Sequence, residues 1–198
     1  MGSEKKRIAS IRSAIGVFAQ KILPEEKSWH VEVIHAIAQN IKPEHYLEVG
    51  IYKGETFRKI AKCANNSVGV DIEARSLEYV RKIKSSIGFH GTLQEYVSTK
   101  PTQKFDLIFI DADHMEESVV ADFASALEVA SQSAIIMLHD TWPKSEEFAG
   151  PGYCGTSYLA VNSLRKKYPD WSFVTIPVHP GLTIASKNSI PGWATPIS

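Results

Sequence analysis

Apolar residues at Ile8, Ile11, Ile15, Phe18 and Ile22 recur every three or four positions, which lines one stripe of a helix ending before Pro24. A second helix is predicted from a cap at Ser28, with Val33, Ile34, Ile37 and Ile41 turned inward and a stop at Pro43. From Tyr46 the pattern changes. Short apolar runs at Tyr46–Val49, Ser67–Asp71, Ile87–His90, Phe105–Ile110 and Ala134–Leu138 alternate with helical stretches at Glu55–Cys63, Ala74–Lys84, Leu93–Val97 and Glu116–Ala130. The run Phe105–Ile110 is apolar at nearly every position, as in a parallel strand covered on both faces. A Pro- and Gly-rich loop over 142–155 precedes a helix over Ser157–Tyr168. Two last runs, Trp171–Ile176 and Leu182–Ser186, are joined only by Pro177–Gly181. So short a connection pairs them antiparallel, because a parallel return needs a longer crossover.

Strands alternating with helices predict an α/β fold: a Rossmann-like, doubly wound, mostly parallel sheet of seven strands with a C-terminal antiparallel hairpin and helices at the N-terminus. The expected organisation is an N-terminal helical extension over 1–43, one ligand-binding domain over 44–187 and an irregular tail over 188–198. The stripe from Ile8 to Ile22 lies outside that domain. It covers an acceptor site, forms a homo-oligomer contact, or packs on the sheet.

Composition narrows the function classes. Lys and Arg number 22 and so do Asp and Glu, so the chain has no global electrostatic preference for nucleic acid or an anionic membrane. Cys63 and Cys154 are too few for a disulfide framework and lie in no metal-binding spacing. No apolar run is long enough to span a bilayer, and the charged stretch Met1–Arg12 lacks the core of a secretion signal. A cytoplasmic protein without membrane or nucleic-acid partners is expected.

Ligands on such sheets bind at the carboxyl ends of the strands. The first strand runs into Glu48-Val49-Gly50-Ile51-Tyr52-Lys53-Gly54. Gly50 permits a sharp turn and a close ligand, and Gly54 opens the next helix where a side chain would block packing. Tyr52 stands where the nicotinamide fingerprint has its second glycine, and no Gly-Lys-Ser/Thr opens the helix. Asp71 follows the second strand, at the spacing where such folds place an acid for ribose hydroxyls. It would equally cap the following helix.

These residues resemble the class I methyltransferases. The first motif looks like E-x-G-x-Y-x-G of the catechol O-methyltransferase-like branch. Phe109-Ile110-Asp111-Ala112-Asp113-His114 and Leu138-His139-Asp140-Thr141 are similar to short bacterial sugar and natural-product O-methyltransferases. The resemblance spans about Tyr46 to Ser186. It implies that S-adenosylmethionine is the cofactor, with Gly50 under its methionine part and Glu48 ordering its amino end. Asp71 would hold the ribose, Ile72 would pack on the adenine, and Gly91 and Thr92 would pass the adenine edge. Tyr52, Gly54 and Asp111 complete the implied cofactor-binding set.

In this fold Asp111, Asp113 and His114 face His139, Asp140 and Thr141 across about one strand spacing, roughly 5 Å. Converging carboxylates can bind Mg²⁺, and a histidine or carboxylate can take a proton from a hydroxyl. The resemblance assigns Asp111 and Asp140 to a metal, with Thr141 as a weaker third ligand where relatives carry Asn or Asp. Asp113 and His139 are the candidate catalytic groups. Asp113 and His114 equally serve to cap the helix after Met115. Trp142, Tyr153 and Tyr158 line an acceptor pocket or pack the loop, and His30, His35, His45 and His179 are read as structural. The expected activity is methyl transfer to a hydroxyl of a small molecule, metal-assisted or not. A non-catalytic cofactor-binding protein and a nicotinamide-dependent oxidoreductase are the alternatives.

Overall fold

The computed structural model describes residues 28–187. The stripe at Ile8–Ile22 and the tail after Lys187 lie outside the described residues.

Seven strands form one sheet: β1 (His45–Val49), β2 (Asn66–Asp71), β3 (Ser86–His90), β4 (Phe105–Ile110), β5 (Ala130–His139), β6 (Ser172–Ile176) and β7 (Leu182–Ser186). Their order is β3-β2-β1-β4-β5-β7-β6. The five strands β1 to β5 run parallel, while β7 is antiparallel to both β5 and β6. The order turns back between β1 and β4, and a crevice opens at such a point at the carboxyl ends of the strands.

The alternation of side chains along the strands divides the core into two layers. Leu47, Val49, Ile108, Ile110, Ile136 and Leu138 face α4 (Leu93–Ser98), α5 (Glu116–Val129) and α6 (Ser157–Lys167). Tyr46, Leu107, Phe109 and Met137 face α1 (Trp29–Ile41), α2 (Glu55–Ile60) and α3 (Leu77–Arg81). A strand covered on both sides must be apolar throughout. The observed β4 accordingly has the bounds of its apolar run.

Several expected elements change. The helix expected over Ala74–Lys84 shrinks to α3 because the chain before it is tied by bonds that skip only three residues: Ser76 to Glu73, Leu77 to Ala74, Glu78 to Arg75 and Tyr79 to Ser76. The stretch Glu55–Cys63 ends in a 3₁₀ turn at Ala61–Cys63. Strand β5 starts at Ala130, directly after α5, rather than at Ala134. In α1 the inward positions are Trp29, His30, Val31, Ile34 and Ala38, whereas Ile41 is 40% exposed. Ser28 precedes α1 without a side-chain cap bond. Trp29 ties α1 to the β6–β7 loop by donating its indole N–H to the carbonyl of His179 at 2.8 Å.

Among the described residues no helix is long and apolar enough to cross a membrane.

Candidate active site

The carboxyl ends of β1, β2 and β4 surround a cavity of about 1080 Å³. Gly50, Tyr52, Asp71, Ile72, Gly91, Thr92 and Asp111 all line it, so the structure brings together most of the residues expected to hold a cofactor. Gly50 adopts φ +87, and a Cβ there would stand 2.1 Å from the carbonyl oxygen of Asp111. Only glycine fits this turn. Gly54 adopts φ +64 at the start of α2, and a Cβ on it would meet Tyr79 Cβ at 2.6 Å.

Asp71 is buried and builds the turn before it meets any ligand. Its Oδ2 accepts the N–H groups of Ile51 at 2.7 Å and Tyr52 at 3.1 Å, and its Oδ1 accepts that of Glu73 at 2.7 Å. Each oxygen of a carboxylate offers about two acceptor directions, so Oδ1 retains capacity for a ribose hydroxyl. Tyr52 and Ile72 are 74% and 68% exposed, apolar surface that a bound ring would cover. Thr92 caps α4 in a reciprocal capping box with Glu95.

Glu48 does not line the cavity. It is buried, accepts the hydroxyl of Tyr46, and burial pushes its carboxyl well above the usual carboxylate range. Two cavity residues lay beyond the sequence reading: Gln94 donates to Asp122 Oδ1 at 3.3 Å, and both line the wall beside Thr92. Burial raises the Asp122 carboxyl to about 6.

At the ends of β4 and β5 a second constellation forms. His139 Nδ1 lies 2.9 Å from Asp111 Oδ1 and 3.4 Å from Asp140 Oδ2. These three side chains bring one ligand-type atom each within 4.8 Å of one another. Burial disfavours the charged form of His139, but the Asp111 and Asp140 carboxylates outweigh it and hold the ring's pKa up at about 10. Burial also disfavours the Asp140 carboxylate, and the His139 hydrogen bond and charge pull its pKa down despite that.

His114 closes the constellation from the loop after β4. Its Nε2 lies 3.2 Å from Asp140 Oδ2, and its Nδ1 meets the carbonyl of Tyr153. On the inner side stands His30 from α1, with ring centroids 4.1 Å from those of His139. Burial and the neighbouring His139 lower the His30 pKa to about 4. The Nε2 of His139 and Nδ1 of His30 are buried without a hydrogen-bond partner.

Two expected members are not in this group. Asp113 Oδ2 accepts the Ser118 hydroxyl at 2.7 Å, and the residue lines the cavity at the ends of β1, β2 and β4 instead. Thr141 turns away because Asp140 takes φ +58; the Thr141 hydroxyl accepts that of Thr183 at 2.9 Å. His139, the other candidate catalytic group, stays in the constellation, with Nδ1 against both carboxylates and Nε2 buried.

The family of methyltransferase domains matches residues 47–141, from β1 to the residue after Asp140. No curated protein sequence matches the chain. Solved structures resemble it at low identity. The O-methyltransferase of Bacillus cereus in complex with S-adenosylhomocysteine is 16% identical, with 91% of this chain and 89% of that one covered at a TM-score of 0.65. The methyltransferase PaMTH1 of Podospora anserina, also bound to S-adenosylhomocysteine, is 15% identical, with 94% and 96% covered and a TM-score of 0.68. The O-methyltransferase TomG of Streptomyces achromogenes, in complex with S-adenosylmethionine, is 15% identical, with 88% of each chain covered and a TM-score of 0.63. The family match runs from β1 to the residue after Asp140, so residues 47–141 of the chain carry a methyltransferase domain.

Proposed function

We propose that the protein transfers a methyl group to a hydroxyl oxygen of a small molecule. One observation carries this reading: Asp111 lines the cofactor cavity and at the same time gives Oδ1 to His139. The place for the methyl donor and the place for proton handling therefore share one residue. The O-methyltransferases of Bacillus cereus and Streptomyces achromogenes have the same fold, which supports oxygen as the acceptor atom.

The residues present fit S-adenosylmethionine. The Gly50 turn leaves backbone room that a Cβ would fill, Asp71 offers acceptors to ribose, and no phosphate cradle is needed. When bound, this cofactor supplies an electrophilic methyl on a sulfonium centre. The chain supplies position. Tyr52, Ile72 and Thr92 wall the nucleoside end, and Asp111 stands at the border with the acceptor. His139 holds Asp111 Oδ1, so the carboxylate is oriented with its remaining capacity toward the cavity. There it would accept the proton of an acceptor hydroxyl that is placed against the cavity. Most of the acceleration comes from holding the two reactants together.

The Mg²⁺ implied by the family resemblance does not fit well. Magnesium requires a near-octahedral set of oxygens, whereas two imidazoles flank the paired carboxylates and Thr141 is turned away. No step is therefore assigned to it. A neutral net charge supports a small-molecule acceptor over nucleic acid or a membrane, and we place the enzyme in the cytoplasm.

The test is incubation with methyl-labelled S-adenosylmethionine and a panel of catechols, sugars and phenolic natural products. Label recovered as an O-methyl ether supports the reading. Label recovered only on nitrogen or sulfur acceptors contradicts it.

A further inference from the structure

A second cavity, of about 570 Å³, opens at the carboxyl ends of β5 and β6, between α6 and the loop after Asp140. That size suits an organic molecule of a few rings. Its walls share no residue with the cofactor cavity and include none of Asp111, His114, His139 and Asp140. Trp142, Pro143, Val161 and Pro177 make much of the lining apolar. Trp142 and Tyr158, expected either to line an acceptor pocket or to pack the loop, both border this cavity.

The polar feature beside it is a chain of three hydroxyls. The positive φ of Asp140 sends Thr141 toward β7, where its Oγ1 accepts the Thr183 hydroxyl at 2.9 Å. A threonine hydroxyl has one proton. That of Thr183 goes to Thr141, so in the 2.8 Å contact between Thr175 and Thr183 the donor is Thr175. The proton of Thr141 is then left without an acceptor among the described residues. Yet Thr141 is only 3% exposed, and it borders the cavity. A buried donor left unpaired costs more than a typical hydrogen bond contributes. An acceptor oxygen placed in the cavity would satisfy it.

We propose that this cavity is a second ligand site, separate from the place of methyl transfer, and that it binds a neutral aromatic compound whose carbonyl oxygen accepts the Thr141 hydroxyl. The apolar walls suit an aromatic body. The lining holds one acid, Glu146, and one base, Arg165, so neither sign of charge is favoured in the ligand. Thr141 already accepts from Thr183, so what it needs from the ligand is a lone pair. A carbonyl is a neutral group that only accepts.

The test uses chroman-4-one and chromane, which share a fused-ring frame and differ by the carbonyl. Neither has a hydroxyl, so neither can serve as an oxygen acceptor of methyl. The whole protein is titrated with each by calorimetry and by ligand-observed magnetic resonance. One equivalent of chroman-4-one should bind, roughly five- to tenfold tighter than chromane, the effect of one hydrogen bond. In Thr141→Val the two compounds should bind alike. Ala149→Trp fills the cavity from a half-buried lining position outside the core, and it should abolish binding of both. Saturating S-adenosylhomocysteine, and separately Asp111→Asn, should leave chroman-4-one affinity unchanged. No saturable binding, equal affinity for the two compounds in the wild type, a preference that persists in Thr141→Val, binding that survives Ala149→Trp, or displacement by S-adenosylhomocysteine would overturn the proposal.

Discussion

The backbone of Gly50 touches the backbone of Asp111: a methyl group on Gly50 would lie 2.1 Å from the Asp111 carbonyl oxygen. Through this contact the cofactor turn after β1 fixes the position of the first residue of the reactive corner.

Gly50→Ala should therefore be costly twice, through its φ of +87 and through a collision with backbone that cannot move aside. A loss of about 3 kcal/mol of stability is expected from strain and displacement together. Gly152 provides the control. It has φ +81 but nothing within 4 Å of an added Cβ, so Gly152→Ala should cost only about 1 kcal/mol. Denaturant midpoints of the two variants measure the difference.

Asp71 holds the turn after β1 and, in the proposed function, also binds the ribose. Asp71→Ala leaves the N–H groups of Ile51 and Tyr52 without their acceptor and removes the ribose contact. S-adenosylhomocysteine binding should weaken by about 1.5–3 kcal/mol, the range for hydrogen bonds to a charged group. Asp71→Asn keeps one acceptor oxygen and should lose less. Calorimetry decides: unchanged affinity in a folded Asp71→Ala protein would remove this residue from the site.

Asp122 predicts a dependence of stability on pH. Burial raises its carboxyl from 3.8 to about 6, the Gln94 amide opposing the shift only in part. A group with a raised folded-state pKa contributes stability below its unfolded pKa, and that contribution is lost as pH rises through the folded value. Asp122→Asn cannot ionise. It should be more stable than the parent by about 2 kcal/mol at pH 7.5, with the gap closing toward pH 4. Thermal unfolding across this range is the check; a gap that does not vary with pH would contradict it.

The reactive corner predicts a contrast between neighbouring aspartates. Asp111→Asn removes the proposed proton acceptor, and Asp140→Asn breaks the pairing with His114 and His139. Each should lower turnover by about a hundredfold or more. S-adenosylhomocysteine affinity should stay within a few-fold. Asp113→Asn should have a much smaller effect, because Asp113 is bound to Ser118 outside the corner. Turnover measured beside ligand affinity distinguishes the three variants.

The framework of this fold was legible because it is local. The apolar run Phe105–Ile110 marks a strand buried on both faces, and the spacing from Gly50 to Asp71 follows from one strand–helix–strand unit. The extent of α3 was not, since the choice between three- and four-residue bonding around Ser76 leaves the apolar spacing nearly unchanged. Thr141 was placed by its position after Asp140, but a positive φ at Asp140 sends it toward Thr183. His114 carries visible chemistry, yet its direction is set by a loop that docks from Tyr153 to Thr156. His30 gave no signal at all. It lies on the apolar side of α1, and only the packing of that helix over β4 and β5 puts it against His139.

The central claim is that the cavity between Gly50, Asp71 and Asp111 is a site for S-adenosylmethionine next to a reactive corner. Calorimetric titration of the whole protein with S-adenosylhomocysteine, and in parallel with NAD⁺, tests it most directly. The account predicts one-to-one binding of S-adenosylhomocysteine, weakened in Asp71→Ala, and no binding of NAD⁺. Binding of NAD⁺ without S-adenosylhomocysteine, or of neither, would contradict it.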